Sequence, residues 1–276
     1  ADVDAAAIGG PMPARLLEGL RIVSLSPAMS RVVADMGLEA AIVGRSRFCD
    51  FLDPEIPVAG DLLRVDAERI LALEPTHLLR QPPSRESGSP LEDLARRQGW
   101  SPPVLARLDD IADVRRFVRA LPRAIAPDAD ELRASLEARA AVIDAALEAI
   151  VTPVAGTAGV AGTAGEGATT VLLVHALRPP GVFGRGTYLD EMLRARGGVN
   201  AFDGLGWRTI TAEDLVRLDP AAIVLVSDRP AEAEAMLADA RAAWGDLGLR
   251  ALREGRLAIV AHREALRPSS GLIEVA

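Results

Sequence analysis

The side chains that could bind a metal ion or act as nucleophiles are few in this sequence. It contains one cysteine, Cys49, and three histidines, His77, His175 and His262. A single cysteine excludes an intramolecular disulfide and a cysteine-rich zinc site, and a zinc or manganese ion would need several histidines and carboxylates close together. We therefore expect no metal site. His175 and His262 end predicted strands, so coordination of a haem iron or a cobalt ion by either imidazole stays open.

Motifs of the common enzyme classes are missing from the sequence as well. GRG at 184–186 is a fragment of a dinucleotide-binding fingerprint without its third glycine, and there is no P-loop, G-x-S-x-G or HExxH motif. Ser26 precedes a predicted helix but has no evident base, so we interpret it as part of a helix-initiating turn. These observations predict a protein that is not an enzyme and has no cofactor of its own.

A segment that occurs twice is the clearest pattern in the chain. VDAERILALEP at 65–75 and ITAEDLVRLDP at 210–220 align without a gap, 145 positions apart, and a short apolar run follows each copy. Each copy therefore predicts a capped helix followed by a strand. Because the copies occupy equivalent places in the two halves of the chain, they predict two related lobes.

The start of each copy places a carboxylate in the first turn of a helix. Asp66 and Thr211 are the predicted N-caps, and Glu68 and Glu213 follow two residues later. A carboxylate at this position is stabilised by the positive end of the helix dipole. Helix stabilisation alone could therefore explain either glutamate.

The elements around these repeats alternate between short apolar runs and helical stretches. Such alternation is typical of βαβ units and a mostly parallel sheet. The predicted strands lie at 21–27, 40–46, 77–81, 103–108, 170–177, 222–226 and 256–263. Besides the two repeats, the predicted helices lie at 30–37, 90–99, 187–198 and 231–245.

A longer helical stretch near the middle divides the chain. The apolar residues of 127–151 recur at three- and four-residue steps, which predicts one helix with an apolar stripe. The stripe consists of Leu132, Leu136, Ala140, Ile143, Leu147 and Ile150. The predicted segments are a loose leader at 1–19, an α/β lobe at 20–126, a linking helix at 127–151, a low-complexity Ala/Gly/Thr loop at 152–169 and a second α/β lobe at 170–276.

Composition limits the partners of the protein. The 276 residues carry a formal net charge of −8, whereas a nucleic-acid-binding protein would need a basic surface. No run of about 18 apolar residues occurs, so the sequence predicts no membrane-spanning helix. The first twenty residues lack the basic start and apolar core of a signal peptide. We expect a small-molecule ligand and no nucleic acid.

Several ordered segments resemble one family of transport proteins. RIVSLSPAMSRVVADMGLEAAIVGRS, the following CDF and the first repeat resemble the first half of class III periplasmic binding proteins. GTYLDEMLRARGGVNAF and GWRTITAEDLVRLDPAAIVLV resemble the second half. These proteins bind cobalamin or ferric siderophores for ABC importers, and the pattern is most similar to vitamin B12-binding members. The resemblance covers residues 20–276 apart from the Ala/Gly/Thr loop.

The resemblance implies a fold and a setting. The fold would be two doubly wound α/β lobes joined by a single long helix, with the ligand in the cleft between the lobes. The protein would be a monomer in the periplasm or another extracytoplasmic compartment, and would deliver its ligand to the permease dimer of an ABC transporter. In the family, one glutamate of each lobe docks into arginine pockets of the permease, and the matching positions are Glu68 and Glu213.

The predicted ligand-binding residues lie mainly in loops at strand ends, where ligands of doubly wound sheets bind. Trp207 is the strongest candidate, because the resemblance places there a tryptophan that packs on the ligand in B12-binding members. Two departures are Leu62, where cobalamin binders often have an aromatic residue, and Leu52, where they have a proline. The predicted set is Arg45, Phe48, Asp50, Phe51, Leu62, Arg178, Phe183, Arg185, Tyr188, Trp207 and Arg208.

The class of ligand stays open at this point. Cobalamin is bulky and nearly neutral, and VGRSRFCDF resembles sequences of cobalamin-binding proteins. The arginines of the strand-end loops could instead bind an anionic ferric siderophore through charge-assisted hydrogen bonds. Haem is a third possibility, and a cytosolic corrinoid-handling protein without a permease partner is a further alternative.

Overall fold

The structure is a computed structural model that describes residues 10–82, 90–101, 103–153 and 169–276. Two compact units make up the chain. The first comprises Ala1–Leu108, Ala112–Leu147 and Ser269–Gly271, and the second comprises Asp109–Ile111, Glu148–Pro268 and Leu272–Ala276. Residues 1–9 of the predicted leader and 154–168 of the predicted Ala/Gly/Thr loop lie outside the described residues.

The sheet of the first unit is entirely parallel. Its order is β3-β2-β1-β4-β5, and every neighbouring pair runs in the same direction. The central strand β1 is buried along its whole length, as expected for a strand covered by helices on both faces. The strands are β1 (Ile22–Ser24), β2 (Ile42–Ser46), β3 (Val58–Gly60), β4 (His77–Arg80) and β5 (Val104–Leu105).

The helices of the first unit include one that the sequence analysis did not predict. This helix, α4, buries an apolar face that includes Val114, Phe117 and Leu121. Pro122 lies in its last turn, where the missing N–H removes one backbone hydrogen bond without ending the helix. The helices are α1 (Pro27–Asp35), α2 (Ala67–Ala72), α3 (Pro90–Gln98), α4 (Ile111–Ile125) and α5 (Asp130–Val151).

The long helix α5 is present close to its predicted bounds. All six residues of the predicted apolar stripe are buried. Asp144 on this helix accepts hydrogen bonds from Arg115 of α4 at 2.7 and 3.2 Å and from Arg119 at 3.4 Å. These bonds join α4 to α5 within the first unit. The role of α5 as a link between lobes stays a prediction.

The sequence analysis predicted a loose leader, but its described part is attached to the first unit. Met12 is buried, and its N–H donates to the Gly37 carbonyl at 2.9 Å. Arg15 forms an ion pair of 2.6 Å with Glu131 of α5, and Arg139 donates to the Gly10 carbonyl at 2.6 Å. These contacts attach the described part of the leader to the first unit. They involve residues distant in sequence, so composition could not reveal them.

The sheet of the second unit is mixed. Its order is β11-β10-β6-β7-β9, and β8 also pairs with β6. Strands β11, β10, β6 and β8 are parallel, whereas β7 is antiparallel to both β6 and β9. The strands are β6 (Thr170–Leu177), β7 (Pro180–Phe183), β8 (Val199–Asn200), β9 (Trp207–Thr209), β10 (Ala222–Ser227) and β11 (Leu257–Ala261).

The helices of the second unit cover a core built around Trp244. That side chain is buried among Leu172, Ile223, Leu225 and Leu249. The helices are α6 (Tyr188–Ala195), α7 (Ala212–Leu218), α8 (Ala233–Trp244), α9 (Arg250–Arg253) and α10 (Leu272–Val275). None of the helices in the described part of the chain is long and apolar enough to cross a membrane.

Candidate functional site

Trp207 lies on an aromatic cluster of the second unit. It is the first residue of β9 and pairs with Phe183 of β7, and the two ring centroids lie 4.2 Å apart. His175 of β6 packs edge-on against both rings, at 5.2 Å from each centroid. Tyr188 of α6 lies 6.1 Å from Phe183 and 6.3 Å from Trp207. Trp207 keeps 39% of its surface exposed, so it presents an open ring on a packed aromatic base.

Two predicted ligand contacts belong to this base and not to its surface. Phe183 and Tyr188 have fully buried side chains, and the Tyr188 hydroxyl donates to the Ala265 carbonyl at 2.9 Å. Burial, together with the nearby Asp228 carboxylate, raises the pKa of Tyr188, so the phenol is neutral at physiological pH. Both side chains are buried in this structure, and their contact with a ligand stays a prediction. Both buried rings pack against the indole of Trp207 on its interior side.

Close approach of two backbone segments sets the place of Trp207. The Gly184 N–H donates to the Gly206 carbonyl at 2.9 Å, and the Gly206 N–H donates to the Arg185 carbonyl at 2.9 Å. A Cβ atom on Gly184 would lie only 1.9 Å from the Gly204 carbonyl oxygen. Glycine at 184 is therefore required for the ladder that carries Trp207.

Asn200 is a supporting residue that the sequence analysis missed. Its side chain is buried, and its amide donates to the Phe183 carbonyl at 2.9 Å and to Asp190 at 3.0 Å. Its own side-chain oxygen accepts from the Phe202 N–H at 3.1 Å. The only signal in the sequence is a polar residue in the apolar run after two glycines, GGVNAF. Asn200 thus ties β7 to the loop that leads to Trp207.

The predicted arginines of the second unit are engaged with backbone to different degrees. Arg185 donates to the Asp203 carbonyl at 2.6 Å, and Arg208 donates to the Trp207 carbonyl at 3.1 Å. Arg178 is exposed, and its guanidinium has no hydrogen-bond partner within the described residues. Of the three, Arg178 has the most donors left for an anionic ligand.

Arg45 of the first unit holds the loop that follows β2. Its guanidinium donates to three backbone carbonyls, those of Ile56 at 3.0 Å, Pro54 at 3.1 Å and Ser46 at 3.3 Å. Arg45, a predicted ligand contact, thus stabilises the conformation of this loop. Few of its five donors stay available for another partner.

The loop held by Arg45 carries the other predicted residues of the first unit. Phe48 is 60% exposed, whereas Phe51 is half-buried with the Arg31 guanidinium 5.9 Å from its ring centroid. Asp50 between them is exposed. The buried Cys49 thiol donates to the Ser30 hydroxyl at 3.3 Å. Cys49 therefore anchors the loop, and Phe48 offers the largest free aromatic surface in it.

Leu62 lies in a tight turn with strong local hydrogen bonding. One oxygen of Asp61 accepts from the N–H groups of Leu63 and Arg64 at 2.9 Å each, and the other lies 3.1 Å from Arg47. These bonds and the nearby cation hold the pKa of Asp61 below its usual value. Leu62 is 44% exposed and Leu63 is 92% exposed. The turn therefore displays two apolar side chains on a fixed backbone.

The two repeated segments begin with the predicted caps. Asp66 accepts from the Arg69 N–H at 3.0 Å at the start of α2, and Thr211 accepts from the Asp214 N–H at 3.1 Å at the start of α7. In the second copy Asp214 also accepts from the Thr211 N–H, which completes a capping box.

Glu68 and Glu213 are both exposed in the first turns of these helices. Hydrogen bonds from its own backbone N–H and from Thr211 lower the pKa of Glu213, so this carboxylate is charged at neutral pH.

The donors that could coordinate a metal ion are separate from one another or already engaged. His77 is buried in β4, and His262 accepts from the Glu264 N–H at 3.2 Å. The Nε2 edge of His175 lies against Gly181, where an added Cβ would be 2.5 Å from that nitrogen. Throughout residues 10–82, 90–101, 103–153 and 169–276, no three His, Cys, Asp or Glu side chains form a group that could hold a metal ion.

Comparison with known proteins places the chain by its fold. No family model and no curated protein sequence matches it. Among solved structures, the periplasmic vitamin B12-binding protein of Vibrio cholerae matches with a TM-score of 0.67 at 18% identity, over 92% of each chain. A periplasmic heme-binding protein of Pseudomonas aeruginosa matches with a TM-score of 0.64 at 24% identity, over 89% of this chain and 85% of that one.

A third structure carries a different kind of ligand. The molybdate periplasmic binding protein of a Haemophilus influenzae ABC transporter matches with a TM-score of 0.66 at 18% identity, over 92% of this chain and 82% of that one. The chain therefore has the fold of class III periplasmic binding proteins, as the sequence resemblance predicted. Identities at this level establish the fold, and proteins of this fold take ligands as different as vitamin B12, heme and molybdate.

Proposed function

We propose that this protein is the substrate-binding component of an ABC importer and that it binds cobalamin or a related corrinoid. It would work as a monomer in the periplasm or another extracytoplasmic compartment and deliver its ligand to a permease dimer. The observation that carries the proposal is the half-exposed ring of Trp207 on its packed base. A rigid, open indole with buried aromatic support suits stacking on a large, flat ligand.

The side chains that could coordinate a metal are mostly buried or hydrogen-bonded. This favours a ligand whose metal ion already has a full coordination shell. The hydroxyl of Tyr188 donates to a buried carbonyl, the Nε2 edge of His175 lies on Gly181, and the thiol of Cys49 is buried. Tyr188 and Cys49 therefore present no free donor atom to an incoming metal. A corrinoid or a siderophore brings its own ligands, whereas haem would need an axial donor from the protein. Haem stays an alternative through His262, whose Nδ1 accepts from the Glu264 N–H and whose Nε2 lies 3.8 Å from Glu274.

The arginines distinguish a corrinoid from a siderophore. An anionic ferric siderophore would need several free guanidinium groups. Arg45 has three backbone acceptors, Arg185 has one at 2.6 Å, and Arg47 lies 3.1 Å from Asp61. With much of this donor capacity engaged, a nearly neutral corrinoid is favoured. A siderophore stays the alternative because of Arg178, whose guanidinium is exposed.

The partner is proposed from the two repeats. Glu68 and Glu213 are exposed, and each is fixed by the N-cap two residues before it. We propose that each carboxylate docks into an arginine pocket of one permease subunit. A permease would give the two exposed carboxylates a common role, whereas a cytosolic corrinoid-handling protein leaves them with helix stabilisation alone.

A thermal-shift panel tests the class of ligand. The protein is heated with cyanocobalamin, haemin, a ferric tris-catecholate siderophore or no addition, each at about 100-fold excess over a micromolar dissociation constant, which stabilises a folded protein by about 2.7 kcal/mol. We expect a clear rise of the melting temperature with cyanocobalamin alone. A rise only with the siderophore would transfer the function to iron uptake, and a rise only with haemin would overturn the argument from donors.

A further inference from the structure

His175 packs against the proposed ligand-binding residue at a fixed geometry. Its imidazole lies edge-on to Trp207, with 5.2 Å between the ring centroids and 61° between the planes, and meets Phe183 at the same distance and 67°. Edge-to-face contacts of this kind stabilise aromatic pairs beyond the area that they bury. The Trp207 ring therefore packs on two rings, Phe183 and His175, of which only His175 can take up a proton.

Gly181 provides the space for this imidazole. A Cβ atom at 181 would lie 2.5 Å from Nε2 and 2.8 Å from Cε1 of His175, so only glycine admits the ring there. Gly181 pairs with Thr209 of β9 in the ladder that also pairs Phe183 with Trp207. One pair of strands thus carries both the indole and the surface on which the imidazole rests.

The surroundings of His175 favour its neutral form. Strand β7 contributes no charged side chain, and the Tyr188 hydroxyl of α6 is engaged with the Ala265 carbonyl. On β9, Arg208 alternates with Trp207 and so points to the opposite face of the sheet. Burial is what lowers the pKa of His175, whereas Asp228 acts on Tyr188. The other charged residues of the adjoining turns are Arg178 and Arg185, of which Arg185 donates to the Asp203 carbonyl.

We propose that neutral His175 holds Trp207 in its ligand-binding orientation and that protonation of His175 weakens ligand binding. An imidazolium in this partly buried cluster would be drawn towards water and away from Gly181 and the two rings, and Trp207 would lose one side of its support. The proposal rests on the proposed function only in assigning the ligand to Trp207. His175 is then a positioning residue that makes ligand affinity depend on pH.

Ligand binding would strengthen this dependence. A large ligand on the Trp207 ring excludes water from the same cluster, which disfavours the charged imidazole further. By linkage, a group that must be neutral in the complex reduces affinity at low pH by up to about tenfold per pH unit below its pKa. Acidification would therefore promote release of the ligand.

Tryptophan fluorescence tests the positioning role without any ligand. An imidazolium next to an indole quenches its emission, so the wild-type signal attributable to Trp207 should fall as the pH is lowered below about 6.5, the ordinary pKa of histidine. That signal is the difference between the wild type and Trp207→Phe, since Trp100 and Trp244 are common to both. We expect the pH-dependent part to vanish in His175→Phe and in His175→Gln and to persist in His77→Phe. Its persistence in both His175 variants would contradict the proposal.

Calorimetric titration with cyanocobalamin as the probe tests the effect on binding. Because burial lowers the pKa of His175, wild-type affinity should fall only as the pH drops below about 6.5, the ordinary pKa of histidine. His175→Phe, which keeps an aromatic ring, should bind with a much weaker pH dependence. An unchanged pH dependence in His175→Phe and His175→Gln would overturn the proposal. If the wild type does not bind cyanocobalamin at any pH, the proposed ligand is wrong, and the fluorescence titration still decides the role of His175.

Discussion

Leu62 and Trp207 stand at equivalent positions, each three residues before one of the two repeated segments. Each lies six residues before the exposed glutamate of its copy, and their exposed fractions are 44% and 39%. One copy thus presents an aliphatic side chain on a turn held by Asp61, and the other presents an indole on a packed aromatic base. The two positions thus share their spacing and exposure and differ in the side chain.

Leu62→Trp should increase the affinity for a corrinoid. The turn already exposes this side chain on a hydrogen-bonded backbone, so an indole there adds an aromatic contact worth about 0.5–1.5 kcal/mol with little new ordering. Calorimetric titration with cyanocobalamin measures the gain. Leu71→Trp, at an exposed leucine of α2, is the matched control. Equal affinities of wild type and Leu62→Trp would count against residue 62 as part of the ligand surface.

Trp207→Ala should weaken ligand binding by about 1–3 kcal/mol, the range expected when a central aromatic contact is truncated. Trp207→Phe should retain part of the affinity. Folding should change little, because the Trp207 ring is partly exposed while Phe183 and Tyr188 beneath it stay buried. The measurement combines a titration with a thermal melt of each variant. Unfolding of both variants would identify Trp207 as a core residue and remove it from the proposed site.

Changing Glu68 and Glu213 to Ala together should abolish complex formation with the permease and leave ligand affinity intact. Charge reversal to Arg should have the same effect, because it would place cations against the proposed arginine pockets. The control is the double variant Glu39→Ala/Glu234→Ala, which removes exposed carboxylates from the first turns of two other helices. Binding to reconstituted permease gives the readout. If the Glu68/Glu213 variant binds the permease with wild-type affinity, the docking role is wrong and helix stabilisation is the role that remains.

Asp144→Ala should destabilise the first unit by about 1–3 kcal/mol, because it removes charge-assisted hydrogen bonds from Arg115 and Arg119. Asp93→Ala, which breaks an exposed pair with Arg96, should cost less than about 1 kcal/mol. Denaturant unfolding measures both.

These arginines lower the pKa of Asp144 below its ordinary 3.8. The stabilisation is therefore complete above that value and is lost as the pH falls through the folded-state pKa. A difference between wild type and Asp144→Ala that persists below both pKa values would contradict this assignment.

Those parts of the fold with a strong local pattern could be predicted from the sequence. The period of α5, the buried strands around β1 and β10 and the caps at Asp66 and Thr211 are visible in short windows of residues. Helix α4 carries such a pattern too, since Val114, Phe117 and Leu121 recur at three- and four-residue steps, and the sequence analysis overlooked it.

The site itself depends on contacts between distant residues. Strands β7 and β9 are too short to show a period, and their pairing is set by Gly184 and Gly206. A residue of such a short strand, for example Phe183 of β7, does not reveal in sequence whether its ring is buried. In the same way, the three carbonyls bound by Arg45 become neighbours only once the loop after β2 has folded.

Isothermal titration of the wild-type protein with cyanocobalamin at neutral pH tests the central claim most directly. The proposed function predicts saturable one-site binding with a dissociation constant below about 1 μM, which corresponds to a binding free energy beyond about −8 kcal/mol. No saturable heat with cyanocobalamin at about 100 μM, with a folded protein confirmed in the same sample, would contradict it.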